Sequence, residues 1–390
     1  MDKARDLIIR KMLADNDVGS ILFWRSDELV LCSGYYPLWG ISVCLYPSIG
    51  TPIIYIPELE PKDELPTGFT IKTFPWGNMQ CSNPWRVLFD TINKDLEILG
   101  IIDLPITFSQ NNGQSSPSQI SAEFPPFPQN FQQNSSQVGQ GGYKDLSNQI
   151  NELYQIKTPI EIEKIRLANQ VAAIGINTFY ENLVAWKSEV EVACAVESAV
   201  QLQTGKGKIK FAKAWPYIMS GINSADGGSF PRTTAKVLQK GDLVMIEMAV
   251  CVNGYWCDIT RTGSVGKTSD KLEEVYNIVK HAQNLALAAI KPGVTGDFID
   301  NIIRSNIRDN GYEKYYQHAL GHHVGFRYHD PGQGLSSGSE LIIQQGMVLT
   351  VEPGIYGHEF GGGCRIEENI LVTKDGVEVL STYSVELDGK

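Results

Sequence analysis

The chain lacks a basic surface. Its 390 residues carry 33 Lys and Arg against 44 Asp and Glu, a formal net charge of −11. The nearest thing to a cationic patch, Lys206, Lys208 and Lys210, reads as a solvated loop. Nucleic acid and anionic membrane are excluded as partners, because both reward clustered cations. No apolar run approaches the roughly 20 residues a membrane helix needs. The opening Met1-Asp2-Lys3-Ala4-Arg5-Asp6 leads into an amphipathic pattern, not into a secretory signal. Seven cysteines without a Cys-x-x-Cys pair point to free thiols in a reducing compartment, the cytoplasm. One absence is local: no histidine lies between Pro159 and Lys280.

What is present suits a globular protein of two domains, with 42% apolar and 20% charged residues. Residues 1–154 read as a smaller α/β domain. Its first helix runs from Ala4 to Leu13 with Leu7, Ile8 and Met12 on one stripe, followed by a strand at Ile21–Trp24. A hairpin joins Ile41–Tyr46 to Pro52–Ile56. From about 105 to 142 Asn, Gln, Ser, Pro and Gly take over. That stretch cannot bury enough apolar area to offset its chain entropy, and it reads as an inserted loop or linker with Phe124, Phe127 and Phe131 as apolar islands.

Residues 155–390 carry sharper signals. Thr158-Pro159-Ile160-Glu161 and Ser188-Glu189-Val190-Glu191 are capping boxes that open two helices, running to about Leu183 and Gly205. Ser269 and Thr295 cap two more, ended by Lys291-Pro292-Gly293 and by Gly311. Strands are expected at Leu243–Val252, Tyr255–Arg261, Met347–Val351 and Arg365–Thr373. Helices segregated from hairpin-linked strands indicate an α+β domain.

The turn Asn253-Gly254 fixes the register of the central hairpin. It sets Glu247 opposite Thr260 and Asp258 opposite Ala249, so the two acids are diagonal neighbours on one face, about 7–8 Å apart at the backbone. Two carboxylates converging from so apolar a run repel each other and lose solvation unless a cation lies between them. The bland alternative has one of them facing solvent or pairing with Arg261. Further along, His322 stands among glycines, His329 precedes Asp330-Pro331, Glu352 ends an apolar strand, and Glu367 lies near the start of another. Mixed carboxylate and imidazole groups suit Mn, Zn, Co or Fe(II).

These blocks resemble, in order, the motifs of the aminopeptidase P, prolidase and creatinase family. The similarity runs through Gly241–Glu247 with Asn253–Thr262, Gly-His-x-x-Gly at His322, His-Asp-Pro at His329, Val-Glu-Pro-Gly-Ile-Tyr at Glu352 and Arg-Ile-Glu-Glu at Glu367, over about residues 155–385. Weaker similarity around Cys32-Ser33-Gly34-Tyr35 suggests the N-terminal domain that accompanies such enzymes. The resemblance implies a C-terminal pita-bread fold behind a creatinase-like α/β domain, a homodimer, and two divalent metal ions acting on a small peptide or amide. It makes Asp258 and Glu367 the bridging ligands, with Glu247 completing one ion and His322 with Glu352 the other. Glu352 would also shuttle a proton, and His329 and His318 would hydrogen-bond the substrate carbonyl.

Two features depart from the family pattern. Glu247 stands where aspartate is usual, which moves the carboxylate by about 1.5 Å. The histidine that usually follows a segment like Ser220–Ala225 is absent, and Asp226-Gly227-Gly228 stands instead, which reads as a wider wall beside the site. The competing functions are therefore a creatinase-like enzyme or lyase on a non-peptide substrate, and a non-catalytic binding module. The cysteines near the candidate ligands, Cys251, Cys257 and Cys364, read as inert buried thiols. His281 reads as an exposed helical residue and His358 as part of a turn.

Overall fold

Asp2 accepts hydrogen bonds from the backbone N–H groups of Ala4 and Arg5 and starts the first helix, α1 (Lys3–Asp15). Its buried stripe is Arg5, Ile9, Met12 and Leu13, leaving Leu7 and Ile8 exposed. The expected stripe is thus rotated, because an arginine belongs to it: Arg5 donates to the carbonyl of Leu153 at 2.7 Å. Hydropathy does not register such a residue as buried.

The computed structural model describes residues 1–37, 41–62, 65–109, 138–228 and 231–389, which form two units, Met1–Tyr154 and Gln155–Lys390. Among the described residues no helix is long and apolar enough to cross a membrane. Most of the polar stretch expected at 105–142, including its three phenylalanines, lies outside the described residues. Its beginning is a strand, not a loop.

In the first unit, β1 (Ser20–Phe23), β2 (Val43–Pro47), β3 (Ile53–Pro57), β4 (Thr70–Phe74) and β5 (Ile106–Phe108) form one sheet in the order β4-β3-β2-β1-β5. β2 and β3 are the expected hairpin. Helix α2 (Ser26–Ser33) follows β1, and α3 (Pro84–Ile98) packs Leu88, Phe89, Ile92 and Leu96 on Leu22, Val43, Leu45 and Phe74 of the sheet. Helix α4 (Ser147–Gln155) follows, and the unit closes at Tyr154 in its last turn.

The second unit opens with α5 (Pro159–Glu181) and α6 (Glu189–Gln201), each begun by a complete capping box. Three antiparallel strands follow in the order β6-β7-β8: β6 (Ala212–Ser220), β7 (Leu243–Val252) and β8 (Tyr255–Ser264). One face of this sheet, with Val244, Ile246, Met248 and Val250, packs on Ala168, Val171, Ile176, Val192 and Val196 of the two helices. Helices α7 (Asp270–Ala289) and α8 (Gly296–Asp309), capped by Ser269 and Thr295, build a second core with the C-terminal strands.

Those strands are β9 (Val348–Val351), β10 (Gly354–Gly357), β11 (Gly362–Arg365), β12 (Glu368–Val372) and β13 (Val377–Val379). β10 pairs with β11, while β9 and β13 flank β12. The single strand expected at Arg365–Thr373 is therefore split, and the chain changes sheet at Ile366-Glu367. The opposing segment changes sheet at Glu352-Pro353, where proline has no N–H to give to a ladder. Each break carries one of the candidate acids.

Candidate metal centre

Side-chain parity on the central hairpin builds half of the site. Asn253 and Gly254 both have positive φ, +54° and +87°, as a two-residue turn of this hand requires. Glu247 pairs with Thr260 and Ala249 with Asp258. The face opposite the helices carries Met245, Glu247 and Ala249 on β7, Trp256, Asp258 and Thr260 on β8, and Trp215, Tyr217 and Met219 on β6. The small Ala249 and Cys251 between the outer strands let Trp215 and Trp256 stack, with centroids 5.0 Å apart.

The other half comes from the strand breaks and from the segment before them. Glu367 donates its N–H to Thr260 O at 3.1 Å. His322 is held by its N–H to Thr350 Oγ1 at 3.0 Å, and a Cβ on the preceding Gly321 would lie 2.0 Å from Thr350 O. Glycine is required there so that the backbone can lie against β9. His322 Nδ1 donates to His323 O at 2.9 Å, which leaves Nε2 with a bare lone pair. That nitrogen stands 3.5 Å from Asp258 and 3.5 Å from Glu352.

Asp258 and Glu367 are each 1% exposed and Glu247 is 4% exposed. Burial, then the charges of Glu247 and Glu352, push the Asp258 carboxyl well above the usual carboxylate range. Burial and then Asp258 do the same to Glu367, and burial raises Glu352 despite His322 and Arg365. Glu247 goes the other way. Burial alone would raise it, but Arg365 Nη2 at 2.6 Å, Thr260 and Tyr328 hold it below its ordinary value.

The polar atoms left over decide what the cluster suits. Asp258 Oδ1, Glu367 Oε1 and His322 Nε2 are buried without a hydrogen-bond partner. Ligand atoms of Glu247, Asp258 and Glu367 lie within 4.8 Å of one another, as do those of His322, Glu352 and Glu367, and of Asp258, His322 and His329. Orphaned acceptors with mutually repelling carboxylates fit divalent cations, and fit little else. The thiols of Cys251, Cys257 and Cys364 are buried, and burial pushes their pKa up, so they stay protonated outside the donor set.

The geometry gathers Asp258, His322, Glu352, Glu367 and Glu247, with the His329 ring 3.7 Å from that of His322. Arg261 pairs with Glu368 instead of with a hairpin acid. His318 is in none of these groups: its Nδ1 donates to Ala319 O, and Tyr356 Oη lies 2.8 Å from Nε2. The departure at Gly227-Gly228 is not a wider wall. Cβ atoms there would lie 2.1 Å from Met245 and 2.5 Å from the Tyr356 ring. His281 is exposed on α7, and His358, in a short turn of 3-10 helix, pairs with Asp226 at 2.8 Å.

Sequence reasoning missed Arg365 as a partner of Glu247, and it missed Thr260, Tyr328 and the β6 aromatics. The hairpin register already set Thr260 beside Glu247; for Arg365 no local signal existed.

A buried carboxylate and imidazole cluster on sheets backed by paired helices defines a metal-dependent hydrolase of pita-bread type. Residues 163–374 match the model of metallopeptidase family M24. The chain is 32% identical over 384 residues to the Xaa-Pro dipeptidase of Pyrococcus furiosus, covering 97% of each. Among solved structures it resembles the prolidase of Pyrococcus horikoshii, with a TM-score of 0.78 and 27% identity, covering 97% of this chain and 98% of that one. It also resembles the Xaa-Pro dipeptidase of Bacillus anthracis, with a TM-score of 0.79 and 27% identity over 98% of each. The chain belongs to metallopeptidase family M24 and has the prolidase-like fold, an N-terminal α/β domain followed by the pita-bread domain.

Proposed function

We propose that this metallopeptidase is an Xaa-Pro dipeptidase working with two divalent ions, Mn, Zn, Co or Fe(II). Glu247, Asp258, His322, Glu352 and Glu367 would hold them. The observation that carries the reading is the set of buried, unpartnered acceptors on Asp258, Glu367 and His322. The relatives' printed activity, Xaa-Pro dipeptidase, supplies the substrate class.

Ions held there supply Lewis-acid polarisation of a carbonyl and a lowered pKa for a water. The chain's own residues do the rest. Glu352, whose carboxyl is raised above its ordinary pKa by burial, takes a proton from the attacking water and returns it to the leaving imino nitrogen of proline. Burial, then His322 and Arg365, hold the His329 pKa far below its usual value, so the ring is neutral and can donate one N–H to the carbonyl oxygen. His318 is likewise neutral, lowered to about 4 by burial and Arg365, and steadies Tyr356. Arg365 carries the cationic charge that balances Glu247.

Metal per chain, measured beside hydrolysis of Ala-Pro, Leu-Pro and a proline-second tripeptide, tests the proposal. Two ions and turnover of the dipeptides in preference to the tripeptide are expected. Tight metal without turnover of any Xaa-Pro peptide would favour a non-peptide amide instead. The homodimer implied by the resemblance is checked by sedimentation equilibrium, and the cytoplasmic address by cell fractionation.

A further inference from the structure

His329 reaches the acidic cluster from a loop, and among the described residues no hydrogen bond anchors its ring. Among the described residues the ring stacks on Tyr328, with centroids 4.2 Å apart and planes 19° apart, lies against His322, and stands 3.9 Å from Asp258. Its side chain is 41% exposed. The direction in which the ring points is therefore inherited from the backbone of residues 325–330.

That backbone is tied down by the residue after His329. The Asp330 carboxylate accepts the N–H of Arg327 at 2.7 Å and of Phe326 at 3.1 Å, closing the loop on itself. Its second oxygen lies 3.0 Å from Lys157 Nζ, and both side chains are fully buried. The same loop is pinned at its ends, by Asp330 N–H to His323 O at 2.9 Å and by Trp256 N–H to Gly325 O at 2.8 Å. One attachment is next to His322 and the other two residues before Asp258, so the loop is referenced to the cluster on both sides. It also carries Tyr328, whose hydroxyl donates to Glu247 at 3.2 Å.

Lys157 is a fixed point. It immediately precedes the Thr158 cap of α5, and its N–H donates to Gly346 O at 2.9 Å. Its stem passes beneath Gly325, where a Cβ would lie 3.0 Å from Lys157 Cε and 2.7 Å from Ile165, and where φ is +145°. A fully buried ion pair is a poor source of net stability, because desolvation cancels most of its attraction. Its use here is directional.

We propose that Lys157 and Asp330 are positioning residues: the buried pair locks the loop 325–330 and thereby aims His329, with Tyr328, at the acidic cluster. The kinetic test rests on the peptidase reading above; a second measurement does not.

Lys157→Met removes the cation at nearly constant length. Lys157→Met with Asp330→Asn removes both charges but keeps an amide oxygen to accept from Phe326 and Arg327, so it guards against a single variant that fails to fold. With metal content unchanged, kcat should fall about 10²-fold, the size expected for a misplaced group, while KM moves little. In a His329→Ala background the same pair of changes should cost no more than about 2-fold, because residues acting through one group are not additive. An equal loss in both backgrounds, or full activity in the folded variant, overturns the proposal. If the native protein turns over no Xaa-Pro peptide, the substrate reading fails on its own. The imidazole signals of His329, assigned by its alanine variant, then decide: shifted or multiple resonances in the double variant support the lock, and unchanged ones refute it.

Discussion

The guanidinium of Arg365 lies 2.6 Å from the carboxylate of Glu247, and each side chain is 6% exposed. The same guanidinium donates to Thr260 Oγ1 at 2.8 Å and to Tyr356 Oη at 3.1 Å, and it approaches Glu352 at 4.0 Å. One buried cation thus serves a cluster of three buried carboxyl groups and the half-buried Glu352. It neutralises Glu247 and leaves Asp258 and Glu367 to be neutralised by something else.

Glu247→Asp shortens the side chain by one methylene and withdraws the carboxylate from Arg365. The weaker of two metal-binding events should tighten, read by titration calorimetry of metal-stripped protein. Superimposable isotherms for the two proteins would count against Glu247 as a ligand.

Asp258→Ala removes a carboxylate shared by two of the three candidate ligand groups. Metal per chain after desalting should fall to near zero, and peptide hydrolysis with it. Retention of full stoichiometry would rule out the assignment.

Proton and metal compete for the same oxygens, which gives a pH signature. In metal-stripped protein the pKa values of Asp258 and Glu367 are raised above their unfolded values. Their contribution is therefore fully present below the unfolded pKa and is lost as pH rises through the folded pKa. Glu247, whose folded pKa is depressed, contributes above its unfolded pKa and loses that contribution only as pH falls through the folded value. As pH falls through their folded pKa values the stripped protein should thus gain stability from Asp258 and Glu367, and the melting-temperature gap to loaded protein should narrow. A gap that is constant with pH would refute this.

The two adjacent glycines should respond differently to alanine. At Gly227 the first atom met is the mobile methyl end of Met245, so the change should be tolerated. At Gly228 it is the ring of Tyr356, which is held by His318 and Arg365. Gly228→Ala should cost about 1–3 kcal/mol, as overpacking does, measured by urea denaturation. Equal stability of the two variants would contradict the packing described here.

Much of this site was legible because a hairpin turn propagates. Asn253-Gly254 sets the register for ten paired positions, and so the shared face of Glu247 and Asp258 follows from a dipeptide. Strand β6 was hidden by Pro216, which argues against a strand interior yet is tolerated because β6 is an edge. The changes of sheet at Glu352 and Glu367 were hidden as well, since an apolar run looks the same whether it continues in one sheet or passes to another. Arg365 was beyond reach for a different reason. Glu247 is 118 residues away in sequence, and Arg261, adjacent to the acids, was the natural guess. Chain proximity favoured the wrong arginine.

The alternation along β7 and β8 has a consequence for how this hairpin can change over time. Glu247, Asp258 and Thr260 occupy positions of one parity, and the residues that bury themselves against α5 and α6 occupy the other. A single residue gained or lost on the turn side of Glu247 would exchange the two sets, sending acids into the apolar core and Ile246 or Ile259 into the cluster. Length changes are therefore admissible there only as matched pairs, one on each arm, which preserve the pairing of Glu247 with Thr260. The hairpin is in effect a parity code. Substitutions can be tried one at a time along it, but insertions cannot.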